Sequence, residues 1–179
     1  MHFLLRISRA IDALNAGFGK IADWAVLLSA VISAGNACIR YGFSISSNSW
    51  LEIQWYLFAV IVLLGASYTL NKNEHVRIDI IYGNLPMRAQ LWIDLLGTIV
   101  FLLPTCIIIG WVSFPLFYNS YLIHEMSNNA GGLLRWPVKL LLPVGFFMLA
   151  LQGISEIIKR IGALQGHPEL VTKYEKPLQ

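Results

Sequence analysis

A carboxylate stands at the start of a long apolar stretch. Glu52 lies in the run Trp50-Leu51-Glu52-Ile53-Gln54-Trp55, and no charged residue follows it until Lys72. Two interpretations are open. Glu52 could make a buried contact to another helix or subunit, which would need a cationic partner such as Arg40. It could instead reach water between the aromatic side chains of Trp50 and Trp55.

A second group of reactive side chains follows in Asn73-Glu74-His75-Val76-Arg77-Ile78-Asp79. Histidine, arginine and aspartate together could perform acid–base chemistry. Neither a nucleophile nor a glycine-rich loop accompanies them, so a structural role for His75, Arg77 and Asp79 is favoured. The sequence predicts no catalytic residue and no enzymatic activity.

No cofactor or metal site is expected. The four histidines lie outside the apolar stretches at His2, His75, His124 and His167, where they could not ligate a haem between helices. Cys38 and Cys106 both lie within apolar stretches and are expected to act as small hydrophobic residues.

The composition is that of a membrane protein. Hydrophobic residues make up 56% of the 179 residues and charged residues only 13%, about half of what a soluble domain needs to solvate its surface. The net charge of +3 comes from scattered basic residues without a dense cluster, so a nucleic-acid partner is not expected.

Four stretches are long and apolar enough to cross a bilayer as helices. The predicted fold is therefore an all-α integral membrane domain over residues 22–159. Its predicted transmembrane spans are residues 22–41, 51–70, 95–117 and 138–158.

The distribution of basic residues predicts the orientation. Ten of the 13 Lys and Arg residues lie in the N-terminal segment, the second loop and the C-terminal segment, and three lie on the opposite side. The positive-inside rule then places both termini in the cytoplasm.

The two ends of the chain differ in character. Residues 1–21 carry apolar side chains at helical spacing and are predicted to form an amphipathic helix on the cytoplasmic membrane surface. A cytoplasmic extension of the first span is the alternative. Residues 160–179 are polar, with glycine and proline, and are expected to be a cytoplasmic tail.

The spans themselves carry little that could bind a transported ion. Asp23, Arg40 and Glu52 are placed at span ends, and Pro104 could kink the third helix or be only a packing feature. The loop before the fourth span ends in Trp136-Pro137, and it could be a docking surface or a plain connection with an aromatic anchor. Transport by this chain alone is therefore not favoured.

Several of these motifs together resemble a known family. Trp50-Leu51-Glu52, His75-Val76-Arg77-Ile78-Asp79, Leu85-Pro86-Met87-Arg88, Trp136-Pro137 and Leu142-Pro143-Val144-Gly145-Phe146 look like the small membrane subunit of tripartite ATP-independent periplasmic (TRAP) transporters. The resemblance covers most of the chain, from about Asp23 to Lys159, and order, spacing and four-span topology agree with it.

The resemblance implies a non-catalytic scaffold in the bacterial inner membrane. Its partners would be a large multi-span subunit that carries the sodium and substrate sites, and a periplasmic binding protein that delivers an organic acid. Trp50, Glu52, Arg40, His75, Arg77, Asp79, Trp136 and Pro137 become candidates for subunit contacts or internal ties. The alternative is a membrane anchor or assembly subunit of another inner-membrane complex.

Overall fold

The computed structural model describes residues 2–45, 47–75 and 82–171. Five α-helices account for most of them: α1 His2–Phe43, α2 Asn48–Lys72, α3 Met87–Gly97, α4 Leu103–Leu122 and α5 Trp136–Leu164. A π-helical turn, Thr98–Leu102, joins α3 and α4 into one long helical run. A short 3-10 turn, Pro168–Leu170, follows α5.

The four predicted spans all lie within helices. Four helical stretches of the described chain are long and apolar enough to cross a membrane: Phe3–Phe43, Asn48–Lys72, Met87–Leu122 and Trp136–Leu164. The prediction of an all-helical chain with four candidate spans is therefore confirmed. The structure contains no bilayer, so the orientation of the bundle stays a prediction.

The first helix differs from its predicted division. α1 is continuous through residues 21 and 22, where the sequence predicts a change from a surface helix to a span. Its N-terminal half packs along α5. Of the predicted apolar stripe, Ile7, Leu14 and Ile21 are exposed, and Ile11 and Phe18 are partly buried. The placement of this half relative to the bilayer stays a prediction.

The π turn lies just before Pro104, the predicted site of a kink. Proline has no N–H to donate to the carbonyl four residues earlier, and its ring crowds that carbonyl. In the preceding turn the Leu103 N–H bonds to the Thr98 carbonyl, five residues back, so this turn is wider than an α-helical one. Thr98 Oγ1 also donates to the Asp94 carbonyl oxygen at 2.7 Å.

Helix α5 is the centre of the bundle, because it packs against all four other helices. Small residues bring the helices close together. A Cβ atom on Gly145 would lie 2.8 Å from the Leu63 carbonyl oxygen, and one on Gly153 would lie 2.7 Å from Leu102 Cδ2. Most large apolar side chains instead point outwards, as expected for a protein surrounded by lipid.

These close contacts also show which residues share a level in the bundle. Gly65 faces Ala22, and Gly145 faces Leu63, so Asp23 lies beside the last third of α2 and the first half of α5. At a rise of 1.5 Å per residue, Asp23 is about 10 Å from the level of Lys72. That Asp23 stands at a span end stays a prediction, because the structure contains no bilayer.

Replacement of Gly145 by alanine tests the close approach of α2 and α5. The added methyl group would press on the Leu63 backbone, which cannot move aside, so Gly145→Ala should lower the free energy of unfolding by about 1–3 kcal/mol. Gly110→Ala is the matched control, because a Cβ atom there would lie 4.0 Å from Phe146 Cβ. Thermal unfolding in detergent measures both. Equal melting temperatures would contradict the close contact.

Candidate functional site

Glu52 ties the start of α2 to the loop before α5. Its carboxylate accepts hydrogen bonds from Ser127 Oγ, from Asn129 Nδ2 at 2.9 Å and from the Leu133 N–H at 2.7 Å. A single carboxylate thus binds both arms of a loop that lies more than 70 residues away in the sequence. Hydrogen bonds to an ionised acceptor are stronger than those between neutral groups, so Glu52 holds this loop firmly against α2.

Other residues on the same face of α2 bind the backbone of this loop. Asn48 Nδ2 donates to the Ala130 carbonyl at 3.1 Å, Ser49 Oγ to that of Gly131, and the Tyr56 hydroxyl to that of Leu134 at 2.8 Å. With Glu52, these donors stand at positions i, i+1, i+4 and i+8 of the helix, which lie on one side of it.

The loop has a fold of its own, built on its paired glycines. The Ser127 N–H bonds to the Leu133 carbonyl at 2.9 Å, and the Arg135 N–H to that of Glu125 at 2.8 Å. Gly131 has a φ of 70°, which glycine adopts without strain. At Gly132 a Cβ atom would lie 2.5 Å from Ser127 Cβ, so there is no room for a side chain.

An ion pair joins this loop to α5. Lys139 in the first turns of α5 contacts one carboxylate oxygen of Glu125, and Arg135 Nη1 lies 3.3 Å from the other. The hydrogen bond from Lys139 is the main reason that the pKa of Glu125 is lowered from its ordinary value. The carboxylate therefore stays charged at neutral pH. The pair holds together the end of the bundle that carries residues 123–135, which we call the loop end.

The structure does not gather the predicted residues into one site. Glu52 is bound by the loop and, within the described residues, makes no ion pair with Arg40, which is exposed in the last turn of α1. Trp136 begins α5 with its ring 5.6 Å from that of Tyr121, and Pro137 follows in the same turn. Trp50 is 41% exposed in the first turn of α2.

The second predicted group is only partly described. His75 is exposed beyond the end of α2, where Asn73 adopts a left-handed conformation and the Glu74 N–H bonds to the Thr69 carbonyl. Arg77 and Asp79 lie outside the described residues. Their predicted roles stay predictions.

A polar cluster at the opposite end of the bundle was not predicted. Gln152 of α5 is fully buried: its Oε1 accepts from Asn15 Nδ2 at 2.7 Å, and its Nε2 donates to Asp12 Oδ1 at 3.0 Å. Ser155 Oγ lies 2.8 Å from the same Asp12 oxygen and 2.7 Å from Ser8 Oγ. We call these five residues the α1–α5 cluster.

Charged residues continue the α1–α5 cluster towards α3. Lys159 Nζ lies 2.8 Å from Asp12 Oδ2 and 2.9 Å from Glu156 Oε1. Arg160 contacts Glu156, and its Nη2 lies 3.3 Å from Asp94 Oδ2, which also accepts from the Tyr82 hydroxyl at 2.9 Å. Because each of these charges has an opposite partner nearby, the cost of their burial is offset.

Helical spacing in the sequence could have revealed this cluster. Ser8, Asp12 and Asn15 lie at i, i+4 and i+7 on α1, and Gln152, Ser155, Glu156 and Lys159 lie at i, i+3, i+4 and i+7 on α5. Both sets form polar stripes that match a helical period of 3.6. The predicted apolar stripe of α1 lies on the neighbouring face, where Ile7, Leu14 and Ile21 are exposed.

Substitution of Glu52 tests the tie at the loop end. Glu52→Gln keeps the shape of the side chain but removes its charge, so the loop should open more often. We expect the Leu133 amide hydrogen to exchange roughly tenfold faster with solvent. Hydrogen exchange with mass spectrometry measures this, and Glu169→Gln beyond α5 is the control. Unchanged exchange at Leu133 would contradict the role of Glu52.

A designed disulfide tests the packing of α1 along α5. The contact between Ser8 Oγ and Ser155 Oγ places the two Cβ atoms within reach of a disulfide. Ser8→Cys with Ser155→Cys, in a chain that lacks Cys38 and Cys106, should cross-link on mild oxidation and shift on a non-reducing gel. The pair Ser8→Cys with Ile154→Cys should not, because Ile154 is 42% exposed. Failure of the first pair to cross-link would show that the two helices separate.

Comparisons with known proteins agree with this architecture. The family described as "Tripartite ATP-independent periplasmic transporters, DctQ component" matches residues 29–163. A protein of Haemophilus influenzae, named as a candidate TRAP transporter small permease protein, is 31% identical over 88 residues. That alignment covers 48% of this chain and 55% of the relative, so the chain spans about half the length of this relative. No solved structure matches the chain.

The family match covers about three quarters of the chain and includes nearly all of the last three candidate spans and the C-terminal third of the first. The four long apolar helices are those of a transmembrane protein. The chain therefore belongs to the family of small permease subunits of tripartite ATP-independent periplasmic transporters.

Proposed function

We propose that this chain is the non-catalytic scaffold of a TRAP transporter in the bacterial inner membrane. It would hold a large membrane subunit in place during sodium-coupled uptake of an organic acid, which a periplasmic binding protein delivers. Both termini and the α1–α5 cluster then face the cytoplasm, in agreement with the count of basic residues. The loop end, with Glu52, faces the periplasm.

The observation that carries this proposal is that the polar side chains bind other groups of the same chain. Glu52 and Glu125 hold the loop at one end, and the α1–α5 cluster with Lys159, Glu156 and Arg160 joins helices at the other. These residues bind one another within the chain. The outward faces of the helices carry large apolar side chains, which suit contact with lipid and with another membrane protein.

Reconstitution tests the division of labour. The chain, the large subunit and the binding protein should together take up a radiolabelled organic acid into proteoliposomes under an inward sodium gradient. Omission of any one of the three should abolish uptake, because the scaffold has to hold a partner that carries the ion and substrate sites. Replacement of sodium by choline is the control.

Two outcomes would contradict the proposal. Uptake by this chain alone would mean that it carries the transport path itself. Undiminished uptake by the large subunit and the binding protein without this chain would mean that no scaffold is needed.

A further inference from the structure

Asp23 is an exposed carboxylate on the outer surface of α1, within the first helical stretch that is long and apolar enough to cross a membrane, Phe3–Phe43. It lies beside Ala22, which faces Gly65 in the last third of α2. At a rise of 1.5 Å per residue it is about 10 Å from the level of Lys72 and about 15 Å from that of Trp136.

Among the described residues, Asp23 lacks the cationic partner that other acidic groups of the bundle have. Asp12, Asp94 and Glu156 each contact Lys159 or Arg160, nearer the end of the helices. Within residues 2–45, 47–75 and 82–171, no ion pair or side-chain hydrogen bond joins Asp23 to another group, and Lys20 one turn away makes no salt bridge with it. An ionisable residue that faces hydrocarbon is costly unless a partner meets it.

Asp23 also lies at the edge of a groove between α1 and α2. The groove has a volume of about 400 Å³. Its walls include small side chains on both helices and polar ones near Asp23; among them are Ala22, Gly65, Ala66, Tyr68, Thr69 and His75. Small residues let a further helix approach the backbone closely, and the nearby polar atoms suit a partner that brings hydrogen-bond donors.

We propose that this groove receives a membrane helix of the large subunit, and that a lysine or arginine of that helix pairs with Asp23. Opposite charge is the property that suits this site, since a cationic donor offsets the cost of an ionised carboxylate that faces hydrocarbon. This inference rests on the proposed function, because it names where the scaffold contacts its partner.

Co-purification of the large subunit tests the contact. The chain is tagged, co-expressed with the large subunit and extracted in mild detergent, and the recovered large subunit is quantified. Asp23→Asn preserves shape but removes the charge, so recovery should fall about tenfold, as expected from the loss of a charge-assisted contact. Asp23→Glu should retain most of it. Lys20→Gln, one turn away, is the matched control and should leave recovery unchanged.

The outcomes separate this inference from the proposed function. If the wild-type chain recovers no large subunit, the proposed function is wrong. If the wild-type chain recovers it and Asp23→Asn recovers it equally well, the groove is not the contact. Thermal unfolding of the chain alone supplies a second readout. Destabilisation by Asp23→Asn without loss of recovery would assign the carboxylate to an internal contact and overturn the inference.

Discussion

The fully buried amide of Gln152 is the contact on which the packing of α1 depends. It binds Asp12 and Asn15 of α1 and Glu156 of its own helix. In a membrane, apolar side chains gain little by contact with one another instead of with lipid, so packing of small residues and polar contacts have to join the helices. The bundle is accordingly the reverse of a soluble protein: its largest fully buried side chains are Gln152 and Asn15, while most large apolar side chains face outwards.

The loop end is held by a different device. There, α2 does not bind another helix but the backbone of a loop, through Asn48, Ser49, Glu52 and Tyr56. Because the four α2 side chains lie on one helical face and the groups that they bind lie on one short segment, the loop is fixed as a unit. Lys139 and Glu125 then connect that unit to α5. The two ends of the bundle are thus secured independently, and the apolar middle needs only close packing at residues such as Gly145.

What could be predicted from the sequence follows from how local each signal is. The four spans depend on stretches of apolar residues within one helix, and they were predicted correctly. Glu52 was singled out as unusual and Arg40 was suggested as its partner. The groups that bind it were not named, since they lie 75 or more residues away on a loop shaped by Gly131 and Gly132. The level of Asp23 beside Gly65 of α2 depends on the register between α1 and α2, which no single helix contains.

The π turn has a consequence for the whole third helical run. Leu91 and Thr98 are buried seven residues apart, and so are Cys106, Ser113 and Ser120, but Thr98 and Cys106 are eight residues apart. The wide turn Thr98–Leu102 therefore acts as a one-residue insertion in a heptad repeat. It lets two differently phased segments present one continuous seam to α5. An alignment with relatives that lack this residue would place the whole part of the helix after Leu102 one position out of phase.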